Sequence, residues 1–99
     1  MNSLQKNTPA SSSDGLEIYF NQFEQDLSLA KLSEVEITFK KLKFLGLNYD
    51  PFANTHSDEC HQVLENLGLT IHFQNPYLAT NILLRLLDKT EERLNNLKQ

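Results

Sequence analysis

The chain has 99 residues, of which 39% are hydrophobic and 22% charged, with a formal net charge of −4 and a single cysteine. A chain of this length makes one domain, in which folding hides only ~60–65% of the surface that an unfolded chain exposes, so a second domain and a large core are both excluded. No apolar run approaches the ~18–20 residues of a membrane span. The one basic cluster, Lys40, Lys41 and Lys43, falls short of the broad positive footprint that displaces counterions from duplex DNA.

Residues 1–13 are built from Asn, Ser, Gln, Thr, Lys and Pro, ending in Ser11, Ser12 and Ser13. They lack the apolar material that would offset the entropy of ordering them and are read as a disordered tail. No apolar h-region follows a basic start, which argues against secretion by a signal peptide, and one cysteine suits a reducing compartment, so the expected location is the cytosol.

The single domain, 14–99, is expected to be all-α, a small irregular or four-helix bundle ending in a long C-terminal helix. The first helix opens at Asp14, where Asp14 and Glu17 have capping-box spacing, and carries Leu16, Phe20, Phe23, Leu27 and Ala30 at steps of three and four. Ile18 falls off that stripe. The second helix is bounded by a Ser33/Glu36 capping box and by Gly46-Leu47, which has the form of a Schellman stop, giving a span of about 34–45. Val35, Phe39, Leu42 and Leu45 make its main stripe, and Ile37 with Phe44, seven residues apart, makes a second apolar line.

The stretch from Asn48 to Asn54 contains Asp50-Pro51 and reads as a loop, with Tyr49 and Phe52 available either to close the end of the bundle or to anchor a partner. A third helix opens at Thr55 or Ser57 and runs to Leu67, burying Cys60, Val63, Leu64 and Leu67, with Gly68-Leu69 repeating the Gly-Leu stop. Leu69, Ile71 and Phe73 alternate with polar residues, and the segment is expected to be an extended connector whose alternate side chains plug the core.

Asn75-Pro76 marks the start of the last helix, the asparagine as cap and the proline at the first helical position. Leu78, Ile82, Leu83, Leu84, Leu86 and Leu87 make its first half apolar nearly all round, more than one face of a small bundle needs. Leu83, Leu87, Thr90, Leu94 and Leu97 follow the alternating steps of four and three that a coiled-coil seam uses.

A search for chemistry finds little. His56, Asp58, Glu59, Cys60, His61 and the more distant His72 form the densest group of possible ligands, but their spacing matches no finger or knuckle pattern. Asp58 and Glu59 suit a helix N-terminus, and Cys60 lies on the apolar stripe, which favours a buried, inert thiol over a nucleophile. With three glycines in all, no phosphate-cradling loop is present, and Asp88, Glu91 and Glu92 interleave with Arg85, Lys89 and Arg93 as surface ion pairs.

No catalytic residue, cofactor or metal is assigned. The favoured reading is a non-catalytic protein–protein interaction protein, such as an adaptor, inhibitor, immunity-type or chaperone-type regulator. Its expected contact residues are Ile37, Phe44, Tyr49, Phe52, Leu78, Ile82, Leu83, Leu86, Leu87, Leu94 and Leu97, with self-association into a homodimer through Leu83, Leu87, Leu94 and Leu97. The alternatives are a metal- or thiol-responsive module centred on Cys60 and His61 with His56, and a small nucleic-acid-linked regulator using Lys40, Lys41 and Lys43.

Overall fold

The computed structural model describes the backbone of residues 12–99 and the side chains from Gly15 onward. Four α-helices, α1 (Ser12–Leu29), α2 (Leu32–Asn48), α3 (Asp58–Asn66) and α4 (Pro76–Lys98), follow one another, with a single 3-10 turn at His72–Gln74 and no strand among the described residues. The fold is all-α with a long C-terminal helix. The tail read from the sequence lies, as far as residue 11, outside the described residues, and α1 begins at Ser12, two residues ahead of the expected Asp14.

In α1 the three–four stripe faces inward as its spacing requires: Phe20 and Leu27 are buried, Leu16 and Phe23 half-buried, and Ile18 points out to solvent. The second helix begins earlier and ends later than its sequence signals. The carboxylate of Glu34 accepts from the Lys31 backbone N–H at 2.8 Å, so the reach-back of an N3 glutamate lies two residues ahead of the Ser33/Glu36 pair. At the other end α2 passes through Gly46 and stops at Tyr49, whose N–H donates to the Leu45 carbonyl at 2.9 Å. The expected Schellman stop at Gly46 is therefore corrected. A glycine ends a helix this way only by adopting positive φ, and Gly68 is the residue that does so, at φ 70. There the Leu69 N–H reaches the Leu64 carbonyl at 2.8 Å and the Gly68 N–H the Glu65 carbonyl at 3.1 Å, the paired bonds of a Schellman motif closing α3.

The start of α3 follows the sequence reading, with the Ser57 hydroxyl accepting from the Cys60 N–H at 3.2 Å. The expected extended connector at 69–73 is a helical turn instead. The Phe73 N–H bonds the Leu69 carbonyl at 2.9 Å, which places Leu69 and Phe73 in the core on one side and leaves Ile71 outside. An alternation of apolar residues at i, i+2 and i+4 fits a strand, but i and i+4 alone also fit a helical turn, and no partner strand exists to decide for the former. The last helix starts as expected, Asn75 Oδ1 accepting from the Tyr77 N–H at 3.0 Å with Pro76 at the first position.

Two apolar clusters hold these elements. The larger joins Phe20, Leu42, Leu45, Cys60, Leu64, Leu69, Phe73, Ala79, Ile82, Leu83 and Leu86, and the smaller joins Leu27, Val35 and Leu94 at the far end of the bundle. Thr90, the one buried polar side chain among the described residues, donates its hydroxyl to the Leu86 carbonyl at 2.7 Å and so carries no unpaired donor into the interior. The end of α1 is tied down by Arg93, which donates to the carbonyls of Leu27 and Ser28 at 2.9 and 3.1 Å, satisfying acceptors that the helix terminus leaves open. No helix is long and apolar enough to cross a membrane among the described residues.

Candidate functional site

Helices α2 and α4 run antiparallel. Val35 packs with Leu94 at one end, and at the other a methyl group placed on Gly46 would sit 3.8 Å from Leu83 Cδ2. Near that second end, because Gly46 has no side chain, the wall between the two helices is low, and an open apolar groove of about 300 Å³ forms there. Its lining is Gly46, Tyr49, Pro51, Phe73, Ala79, Thr80, Leu83, Leu84 and Leu87.

The loop after α2 builds one side of the groove. Pro51 and the Asp50 carboxylate, which accepts from the Phe52 N–H at 3.0 Å, make a tight turn, and the Asp50 carbonyl lies 2.8 Å from His56 Nε2. In the tautomer protonated at Nε2, the imidazole donates that bond. The His56 ring stacks on Tyr49 at 4.3 Å, and Tyr49 tilts against Phe73 at 5.4 Å, so the phenol ring is held between the loop and the core. Burial, then the nearby Cys60 and Asp50, pushes the Tyr49 phenol above its ordinary pKa of 10.0, so it stays a neutral hydrogen-bonding group.

Beyond this fixed ring, Phe52 projects outward and meets Tyr77 of the first turn of α4 edge-on at 5.2 Å. The pair is 61% and 78% exposed, and Leu84, two turns along α4 from Tyr77, is 59% exposed. Leu84 thus stands proud of a groove whose deeper wall belongs to the core, and of the aromatic pair Phe52 directly follows the lining residue Pro51 while Tyr77 is two residues ahead of the lining residue Ala79. No side chain in the lining carries a charge, and its polar side chains are those of Tyr49 and Thr80. Such a surface can bind apolar side chains and offer one or two hydrogen bonds.

Several expected contact residues are elsewhere. Ile82, Leu83, Leu86 and Leu94 are buried in the protomer's own core, and Leu87 and Leu97 are half-buried against it. The proposed seam of Leu83, Leu87, Leu94 and Leu97 therefore faces inward, against α2 and α1. The surplus inferred for the last helix is corrected accordingly: a single copy shelters these leucines, and only Tyr77, Leu78 and Leu84 remain exposed in the helix's apolar half. The reason is that α4 has neighbours on two sides, α1 and α2, where one face had been allowed for. Phe44 is also half-buried against the main core, leaving Ile37 as the exposed member of that pair. Tyr49, by contrast, is brought together with the α4 residues Leu83 and Leu87 around one groove, and Phe52 meets Tyr77 at the start of α4. Leu78 lies at a second hollow, with Leu16, Ile71 and Ile82.

The sequence reading missed Gly46, Pro51, Phe73, Ala79, Thr80 and Leu84 as site residues. Leu84 carried a usable signal, since it is the α4 leucine left over once the two inward stripes are assigned. As for the alternatives, Cys60 is 2% exposed, His56 is stacked on Tyr49, and no group of three or more potential metal ligands occurs among the described residues. The side chains of Lys40 and Lys43 are exposed and that of Lys41 half-buried. Comparison of the chain with protein-family models, with curated proteins and with solved structures gave no match.

Proposed function

We propose that this is a small non-catalytic interaction protein of the cytoplasm that binds an apolar segment of another polypeptide in the groove between α2, the loop at 49–57 and α4. One observation carries the reading: an uncharged groove of about 300 Å³ lined by the exposed Leu84, with the exposed pair Phe52 and Tyr77 within two residues in the chain of its lining residues Pro51 and Ala79. Exposed leucines and phenylalanines scattered singly need no explanation, but several beside one concavity are the arrangement that interfaces use for anchoring side chains. The groove is held by Tyr49 between His56 and Phe73, so little ordering entropy is lost when it is filled.

The experiment places a photoactivatable side chain at Leu84, and separately at Glu65 on α3 as a control, in cells that make the protein. Adducts with polypeptide are expected from position 84 and not from position 65, and Phe52→Ala with Tyr77→Ala should abolish them. Equal labelling from both positions, or none from Leu84, would overturn the assignment.

A further inference from the structure

The molecule is a thin slab, 18 Å along its shortest axis, which is what two layers of helices at ~8–10 Å spacing occupy. Helix α1 lies on one side of α4, where Arg85 covers the Phe20 ring at 3.9 Å and Arg93 bonds the end of α1. Helix α3 joins the same layer, the Tyr19 hydroxyl donating to the Leu67 carbonyl at 2.5 Å. At ~100° per residue, the positions that point the opposite way are Thr80, Leu84, Leu87 and Glu91 on α4, with Asp88 at the edge of that arc, and Lys40, Lys43 and Leu47 on α2. That outer face includes the groove, and Leu47 is its most exposed apolar member at 83%.

Register fixes what stands beside what. Val35 and Gly46 are eleven residues apart, as are their partners Leu94 and Leu83, so the two helices keep step along their shared length. Leu47 is then level with Ile82, one turn or less from Thr80 and Leu84. Lys40 is level with Lys89, between Asp88 and Glu91, and Lys43 is level with Leu86, within one turn of Asp88. The face thus has lysines on its α2 half, carboxylates at matching height on its α4 half, and apolar residues towards the loop end. Neither Lys40 nor Lys43, and neither Asp88 nor Glu91, forms an ion pair among the described residues.

We infer that a second copy of this chain covers the face, related by a twofold axis running along the seam between α2 and α4; the inference rests on the groove being a protein-binding surface. Such an axis lays α2 of one protomer over α4 of the other without changing level. Leu47 then meets the second copy's Thr80 and Leu84 at the groove, and Lys40 and Lys43 meet the second copy's Asp88 and Glu91, each contact occurring twice. A twofold across the helices would instead bring α2 onto α2 and α4 onto α4, setting like charges against each other, which the charge pattern disfavours. The helix pair is about 26–35 Å long and roughly 20 Å wide, a plan area of roughly 500–700 Å² before side-chain relief is counted. Standard interfaces cover ~800 Å² per partner, so a dimer with a dissociation constant on the order of micromolar is expected.

Sedimentation equilibrium of the full chain, from about 1 to about 500 µM, reads the association directly. A monomer–dimer equilibrium is expected, with Leu47→Glu or Leu84→Glu each raising the dissociation constant by about tenfold or more. The charge test is more specific. Lys40→Glu with Lys43→Glu, and separately Asp88→Lys with Glu91→Lys, should each leave the protein monomeric, while an equimolar mixture of the two reversed proteins should associate again, because both halves of the mixed interface are then attractive. All these positions are exposed, and circular dichroism checks that each variant is folded. A chain that stays monomeric throughout, or a dimer indifferent to the reversals, or reversed proteins that fail to pair, overturns the inference. If a monomeric chain still labels another protein from Leu84, the occupant is wrong and the groove reading stands; if neither experiment yields a contact, both fall.

Discussion

Gly46 and Gly68 sit in the same three-letter setting, Leu-Gly-Leu, yet substitution by alanine should move stability in opposite directions. Gly46 is inside α2 with negative φ, and a Cβ there would meet only Leu83 Cδ2, at an ordinary 3.8 Å. Gly46→Ala removes the helix-interior penalty of glycine, ~0.5–1 kcal/mol, and should stabilise by about 0.5 kcal/mol because the position is within the last turn. Gly68 holds φ 70, and although its Cβ would also find ordinary space, 3.6 Å from Tyr19 Cε1, the left-handed conformation costs an L-residue ~1–2 kcal/mol. Part of that is offset by the smaller entropy of the unfolded alanine chain, ~0.4–1 kcal/mol, so Gly68→Ala should destabilise by about 1 kcal/mol. The two variants should therefore differ by about 1.5 kcal/mol, or roughly 6–12 °C in thermal midpoint for a domain of this size. Urea denaturation followed by far-ultraviolet circular dichroism, with unchanged m-values, measures the difference. If Gly46→Ala destabilises as much as Gly68→Ala, then α2 ends at residue 45, and the groove wall formed by Gly46 and Tyr49 is not where it has been placed.

Leu84 and Leu86 are near neighbours on α4 with opposite surroundings, 59% and 0% exposed. Leu86→Ala should cost ~2–5 kcal/mol and Leu84→Ala under ~0.5 kcal/mol in the same urea assay; comparable losses would mean that the inward face of α4 has been misassigned. Burial, followed by the charge of Asp26, pushes the Tyr19 phenol from 10.0 to about 12. A folded-state value above the unfolded one means that the stabilisation is complete below pH 10 and is lost between pH 10 and 12. The full shift would correspond to nearly 3 kcal/mol, which the partial exposure of the ring reduces to about 1–2 kcal/mol. The urea midpoint should fall between pH 10 and 12, and in Tyr19→Phe it should fall less; an equal decline in both proteins counts against Tyr19 as the source.

What could be read in advance were features written in local chemistry. The α1 stripe, the Ser57 and Asn75 caps and the Gly68 stop each need only a few neighbouring residues, and each is found where the spacing places it. The misreadings arose where two local grammars were equally legal and a distant contact chose between them. Leu45-Gly46-Leu47 permits a stop or a continuing helix, and continuation lets Tyr49 reach Phe73, which is remote in sequence. Leu69-Thr70-Ile71-His72-Phe73 permits a strand or a turn, and the turn buries Leu69 with Phe73 in one core. The groove itself was illegible, because its residues come from α2, the loop, the 3-10 turn and α4, and no single segment carries its shape.

The apolar surplus of the chain is therefore real in amount and differently placed from what helical periodicity alone implies. Had Leu83, Leu87, Leu94 and Leu97 faced outward, the core would have lacked two buried leucines and the antiparallel contact of Val35 with Leu94. Turning that stripe inward leaves the opposite arc of α4 to Tyr77, Thr80 and Leu84, which contribute almost nothing to the core. A helix of fixed pitch cannot bury every face in a slab two layers deep, so whichever stripe packs inside determines which residues remain for a partner. In this protein, burying the seam residues Leu83 and Leu94 is what exposes Leu84, and the apolar lining that α4 gives the groove is a consequence of how the helix is rotated about its own axis.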